Sequence, residues 1–290
     1  MEQVFGIALT VQACLQAGTR ADVAWVVDSS GLQVGDWADA VVFTPGGGRI
    51  GSLLGGILDD KLAEMAGRGS VGRLVDVEVS PVDALIAGVE AEGSARCLLV
   101  PAELFPPDTW RRAIERESFA IVVEMRGDEV VTMELVDAVG EGSSVSQLEG
   151  GTITSTFLPA TEVVMVGANP VIDVLAEMSP LLGWRARRAG DVSTVGGLIA
   201  PLAPRDKVVV AGHDLELAGA ALATALESRA GYIASLGSRK MQADRNDWLA
   251  YRGITDLDRI HGPAGLDIGA DTPAEIAVSI VAEAIAANGR

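Results

Sequence analysis

With 290 residues, 49% of them hydrophobic, the chain is long enough for two domains and a sizeable core, so it does not read as a disordered segment. Lys+Arg number 22 against 40 Asp+Glu, a formal charge of −18, and so acidic a surface repels phosphate backbones and argues against nucleic acid as a partner. Cys14 and Cys97 lie far apart and the histidines are only His213 and His261, which argues against a metal site, and no apolar run approaches the ~18 residues needed to span a bilayer.

The N-terminus carries no basic leader and no cleavage-like segment, so the chain is expected to be soluble and cytoplasmic, with no membrane attachment. Both cysteines are expected to be small buried hydrophobes.

Residues 2–18 carry a helical pattern, with Val4, Ile7, Ala8, Val11 and Leu15 on one face and Gly18 as the stop. Strands are expected at Ala24–Asp28 and Ala40–Phe43. The second runs into Pro45-Gly46-Gly47-Gly48-Arg49-Ile50-Gly51-Ser52 and then a helical pattern. Leu54, Ile57, Leu58, Leu62 and Met65 share its apolar face, while Asp59, Asp60, Lys61 and Glu64 are expected in water. With Ser52 as N-cap, Gly47, Gly48, Arg49, Gly51 and Ser52 form a candidate anion cradle at a helix N-terminus; the alternative is a tight turn under a packed helix. Further strands are expected at Leu74–Val79, Cys97–Val100, Ala120–Met125 and Val130–Val139, with a short helix opened by Pro106-Pro107-Asp108. The Gly, Ser and Thr between Gly140 and Thr156 read as a linker. The expected organisation is therefore an N-terminal α/β domain over residues 1–140, a linker over 141–160 and a C-terminal domain over 161–290.

The C-terminal half alternates strand and helix, the pattern of a Rossmann-like domain with a mainly parallel sheet. It begins with Val163–Val166 running into Gly167-Ala168-Asn169-Pro170, where a dinucleotide-binding turn would read G-x-G-x-x-G. Here the three positions are Gly167, Asn169 and Ile172. Without the second Gly a pyrophosphate cannot come close, and Pro170 removes an N–H, so NAD(P) is expected to bind weakly or not at all. Arg185–Ala189 is the next expected strand. Asp191 lies where a carboxylate often meets a ribose, while the adjacent Arg187 and Arg188 suit a phosphate or a plain surface edge.

Lys207–Ala211 ends in Gly212-His213-Asp214, and Tyr232–Leu236 ends in Gly237-Ser238-Arg239-Lys240, each before a helical pattern. Ligands of open α/β sheets lie beyond the C-terminal strand ends, so His213, Asp214, Gly237, Ser238, Arg239 and Lys240 join Gly167 and Asn169 as candidate ligand residues. A permissive Gly, a hydroxyl, two cations and a helix N-terminus suit an anion; the alternatives are solvated cations with Ser238 as a cap, and a His213 satisfied by Asp214. The last helix opens with Thr272-Pro273-Ala274-Glu275, a capping box with Pro at N1. No nucleophile–base pair or carboxylate pair emerges, and no catalytic residue is assigned.

Two stretches, Tyr232-Ile233-Ala234-Ser235-Leu236-Gly237-Ser238-Arg239-Lys240 and His261 to Ala277 (HGPAGLDIGADTPAEIA), closely resemble the XdhC/CoxI family of accessory proteins for molybdenum hydroxylases. The resemblance covers most of residues 160–290, with a weaker match at Arg49-Ile50-Gly51-Ser52 and Gly55-Gly56. It implies binding of the molybdenum cofactor (molybdopterin or its nucleotide form), support of its sulfuration and delivery to a molybdenum hydroxylase apo-enzyme. It further implies a homodimer and a cysteine desulfurase among the partners. Many members have Gly-Gly-Cys-Leu-Glu where this chain reads Gly55-Gly56-Ile57-Leu58-Asp59, and Gly-Ala-Gly-His where it reads Gly167-Ala168-Asn169-Pro170. An NAD(P)-binding oxidoreductase-like protein and a ligand-free scaffold paralogue are the competing readings.

Overall fold

The computed structural model describes residues 2–32, 39–87, 93–138 and 145–287. They divide into two compact units, with the division between Pro159 and Ala160.

The first unit contains α1 (Glu2–Gln16), β1 (Asp22–Ser30), β2 (Ala40–Thr44), β3 (Gly48–Gly51), α2 (Asp59–Met65), β4 (Arg73–Val79), α3 (Pro81–Ala87) and β5 (Gly93–Pro101). It continues with α4 (Thr109–Ile114), β6 (Phe119–Arg126), β7 (Glu129–Asp137), β8 (Val145–Glu149) and β9 (Thr152–Phe157). The strands form an antiparallel sheet in the order β3-β2-β1-β5-β4-β7-β6-β9-β8. The α/β expectation for this unit is thereby refined: its sheet is antiparallel.

Side chains alternate across a strand, and at the centre of this sheet both faces are covered. Val23, Trp25 and Val27 of β1 pack with Leu98 and Val100 of β5 against Ile7, Ala8 and Val11 of α1 and Trp110 of α4. The intervening Ala24 and Val26 pack with Cys97 and Leu99 against Leu58 and Leu62. Each such aliphatic burial contributes roughly 1.5–3 kcal/mol. Trp25 satisfies its Nε1–H by donating to Ser155 Oγ on β9 at 2.8 Å. Burial pushes the Cys97 thiol up to about 12.

The expected linker is corrected in its described part. Residues 145–149 and 152–157 are β8 and β9, and β9 pairs along the length of β6 from Phe119↔Phe157 to Glu124↔Thr152. Their Ser and Thr read as loop locally, yet they sit well in a ladder that supplies their backbone partners. Residues 139–144, at the start of that expected linker, lie outside the described residues, as does the end of the Val130–Val139 strand.

The second unit contains β10 (Glu162–Val166), α5 (Pro170–Met178), β11 (Arg185–Ala189), α6 (Val192–Ile199), β12 (Lys207–Val210), α7 (Leu215–Glu227), β13 (Tyr232–Ser235), α8 (Arg239–Tyr251), β14 (Ile260–His261) and α9 (Pro273–Ala287). Its sheet is parallel, in the order β11-β10-β12-β13-β14. The inner strands β10, β12 and β13 are near-continuous buried runs because helices cover both faces, whereas edge strand β11 is Arg-rich and mostly exposed. Val164, Val166, Val208 and Val210 meet α6 and α7, whereas Met165, Val209 and Tyr232 meet α5 and α9. The capping box of α9 forms as expected: Thr272 Oγ1 accepts from Glu275 N at 3.3 Å and Glu275 Oε2 from Thr272 N at 2.9 Å. Among the described residues no helix is long and apolar enough to cross a membrane.

At the N-terminal edge of this sheet, fully buried Asp206 accepts from Glu162 N at 2.8 Å and Ala203 N at 2.7 Å, pinning the starts of β10 and β12. The next residue, Lys207, is also fully buried; its Nζ donates to Ala284 O at 2.9 Å and lies 5.1 Å from the centre of the Trp184 ring. Burial lowers its pKa to about 8, with the Arg205 charge a smaller cause in the same direction. A folded pKa below the unfolded value means that the unfolded chain holds the extra proton between them, so stability rises with pH across that window. Urea unfolding of the full chain should show stability increasing from about pH 8 to about pH 10.5, by up to the order of 3 kcal/mol. Lys207→Met should lose that increment; an unaltered pH slope in the variant would show that Lys207 is not its source.

Candidate functional site

Four helices start at the C-terminal ends of the parallel strands, and their caps differ. Asn169 caps α5, its Oδ1 accepting from Val171 N at 2.8 Å, while Ile172 N donates to Asn169 O at 2.9 Å and Pro170 has no N–H. The first-turn donors of α5 are therefore absent or used within the turn. Asp191 caps α6 through Thr194 N at 3.1 Å, and Asp214 caps α7 through Leu217 N at 3.0 Å. The hydroxyl of Ser193 and the backbone of Thr194 hold the Asp191 carboxyl below its usual range. These caps place negative charge where a phosphate would have to sit.

The start of α8 is different. Its cap is the neutral Ser238, whose Oγ accepts from Met241 N at 3.3 Å. The N–H groups of Arg239 and Lys240 make no hydrogen bond among the described residues, and their exposed side chains make no ion pair there. Helix N-termini carry partial positive charge, so free donors and two cations coincide at this turn.

Behind it lies Arg245, which the sequence reading missed. It is only 2% exposed. Its Nη1 donates to Ser235 Oγ at 2.7 Å and Leu236 O at 2.9 Å, and its Nη2 to Gly212 O at 2.8 Å. The guanidinium thus ties the end of β12 to the end of β13 and faces no carboxylate among the described residues; burial lowers its pKa. The available signal was Arg245 directly after Asp244 within α8, but a single Arg on so polar a helix reads equally well as surface.

The chain reverses its winding between β10 and β12, the switch point at which ligands of such sheets collect. There the turn after β10 is in backbone contact with the turn after β12. Gly167 has φ +89°, and a side chain on it would run into the Ala211 carbonyl. Gly167, Asn169, His213, Asp214, Gly237, Ser238, Arg239 and Lys240 accordingly share the C-terminal edge of one sheet. Within that edge Asn169 and Asp214 serve as caps, His213 is exposed, and the anion-attracting groups gather at α8.

The expected cradle in the first unit is rebuilt. Gly47, Gly48, Arg49 and Gly51 belong to a β2–β3 hairpin, and Ser52 follows the end of β3, well short of α2. The N-cap position of α2 is Leu58, so Ser52 is not the cap. Gly51 packs its backbone against Ala40. Asp59, expected in water, is 1% exposed and accepts from Leu53 N at 2.9 Å, its carboxyl pKa raised by burial. Gly47, Gly48 and Arg49 do line a cleft, with Arg20, Asp22 and Asp60. Among the described residues no cluster of His, Cys, Asp and Glu is arranged to hold a metal ion.

With all first-turn donors of α5 used or missing, nicotinamide fluorescence titrated with the protein should not saturate at micromolar concentrations. Tight, saturable NADH or NADPH binding would show that the dinucleotide does not need the α5 turn.

Residues 163–284 match the family model described as the XdhC Rossmann domain. No curated protein matches the chain. A solved structure described as a xanthine dehydrogenase from Bacillus halodurans is 20% identical, covers 97% of this chain and 95% of its own, and superposes with a TM-score of 0.47, a likeness that carries no functional argument.

Proposed function

We propose, from the match of residues 163–284 to the XdhC Rossmann domain, that the chain is an accessory protein that matures a molybdenum hydroxylase. In this reading it binds the molybdenum cofactor, supports its sulfuration and delivers it to the apo-enzyme, working in the cytoplasm as a homodimer with a cysteine desulfurase as sulfur donor. The observation that carries it is the start of α8, where free N–H groups, Arg239 and Lys240 stand before the buried Arg245 charge on a chain of net charge −18.

The fit to the cofactor is electrostatic. The pterin bears a phosphate, and Arg239 would grip it as a fork while Lys240 acts as a point charge. Bound, the cofactor supplies the molybdenum centre that the client enzyme uses. This chain's own residues would hold the phosphate and fix the turn through Arg245, while the carboxylates of Asp191 and Asp214 are engaged as the caps of α6 and α7. Ile57 stands where many relatives have Cys, so no thiol from that position takes part.

Charge-assisted hydrogen bonds contribute roughly 1.5–3 kcal/mol each. Arg239→Ala with Lys240→Ala should therefore weaken molybdenum-cofactor binding by at least about tenfold. Thermal unfolding should stay unchanged, because both side chains are exposed. Unchanged affinity in a folded double variant would move the cofactor away from α8. Light scattering should report twice the 30.0 kDa chain mass, and a monomer at every working concentration would remove the dimer from the proposal.

A further inference from the structure

The two edges of the parallel sheet are unlike. At one edge β14 has only 2 residues, and so short a strand offers little to pair with. At the other, β11 has 5 residues, and Arg185, Ala186, Arg187 and Arg188 are all exposed. The ladder to β10 uses alternate residues of β11: Arg185 N donates to Thr161 O at 2.9 Å, and Ala189 O accepts from Gly167 N at 3.1 Å. Backbone groups alternate in direction along a strand, so Ala186 and Arg188 turn their N–H and C=O groups to the open edge. Those groups make no hydrogen bond among the described residues.

The side chains give this edge its charge. Arg185 and Arg187 point to one side of the strand and Arg188 to the other. Arg185 makes no ion pair among the described residues. Arg187 Nε lies 3.8 Å from Glu162 Oε2, and Arg188 Nη1 donates to Asp173 Oδ1 at 2.8 Å, with the two arginines 53% and 51% exposed. Exposed pairs of this kind hold weakly, so another carboxylate can take the place of the first. A second copy of this edge would set arginine against arginine, and like charges across a strand pair oppose it. The same charges favour a strand that brings carboxylates, which a guanidinium fork accepts through two parallel hydrogen bonds.

We propose that β11 docks an acidic, extended segment of a partner protein as an added strand. The backbone of Ala186 and Arg188 carries the new ladder, and the three arginines select the charge of what joins it. A segment reading Glu-Glu-x-Glu-Glu fits in either direction. It sets two carboxylates on the side of Arg185 and Arg187 and one on the side of Arg188, with the residue between them opposite the small Ala186. The inference uses no residue of the α8 turn and does not depend on the function proposed above.

The probe is a fluorescein-labelled peptide, Val-Glu-Glu-Val-Glu-Glu-Val, titrated with the full chain and read by fluorescence anisotropy. It should saturate with a Kd below about 1 mM, and the peptide with Lys in place of Glu should bind at least about tenfold more weakly. N-methylation of the peptide backbone keeps every carboxylate and removes the N–H donors, and it too should weaken binding at least about tenfold. Arg185→Thr with Arg187→Thr should do the same in a protein that thermal unfolding shows to be folded. Should that variant not fold, the N-methylated peptide decides, because it leaves the protein untouched. No saturation below about 1 mM, equal binding of the N-methylated peptide, or full affinity in the folded Arg185→Thr/Arg187→Thr variant overturns the proposal. Loss of binding in Arg239→Ala/Lys240→Ala with retention in Arg185→Thr/Arg187→Thr places the peptide at α8 and overturns it as well.

Discussion

The buried guanidinium of Arg245 organises the C-terminal edge of the parallel sheet. A charge removed from water is costly unless its donors find partners, and the oxygens of Ser235, Leu236 and Gly212 take three of them from two different strand ends. The planar fork has one geometry that reaches all three, so the turns after β12 and β13 are held in one relation to each other and to α8. Because its partners are neutral, the positive charge is not cancelled at its source. It adds to the dipole of α8 and to Arg239 and Lys240, and the field at that turn is the sum.

The same edge shows how small changes in capping redirect a shared architecture. A helix N-terminus attracts anions only while its first N–H groups are free. Asn169 and Pro170 use up or remove those of α5, and Asp191 and Asp214 answer those of α6 and α7 with carboxylates. Ser238 caps α8 without charge and leaves two donors open. The free N–H donors of this edge therefore lie not at its switch point but at α8, one strand further along.

The antiparallel unit follows a different logic. Its central strands are covered on both sides, and a cleft of about 660 Å³ lies at the hairpin tip, lined by residues of β2, β3 and α2. Glycine at positions 46 and 47 keeps that tip free of side chains. Asp22 and Asp59, both nearly buried, fix the backbone on either side through Gly67 N and Leu53 N. The cleft is therefore bordered by anchored structure, and Arg49 stands 2.9 Å from exposed Asp60 and 4.0 Å from buried Asp59.

Much of this was legible in local pattern. Valine-rich runs of four or five residues, Gly at their ends, and the Thr272–Glu275 box marked the parallel strands, their turns and the last helix, since periodicity, turn chemistry and caps act over a few residues. The Asn169-Pro170 substitution likewise announced a closed dinucleotide turn by its own chemistry. What local pattern could not supply were partnerships across long separations. Ser and Thr at 145–157 became strands because β6 offered a ladder, and Ser52 lost its role as a cap because Gly48–Gly51 found β2. Asp59 went inside because Leu53 N needed an acceptor, and Arg245 became a clamp because Gly212, 33 residues away, lay within its reach. Length, charge, strand and helix content and the family likeness followed from the sequence by itself. Which strands pair, which charges are buried and which helix start stays open were decided by tertiary structure, because each depends on a hydrogen-bond partner supplied by a distant part of the chain.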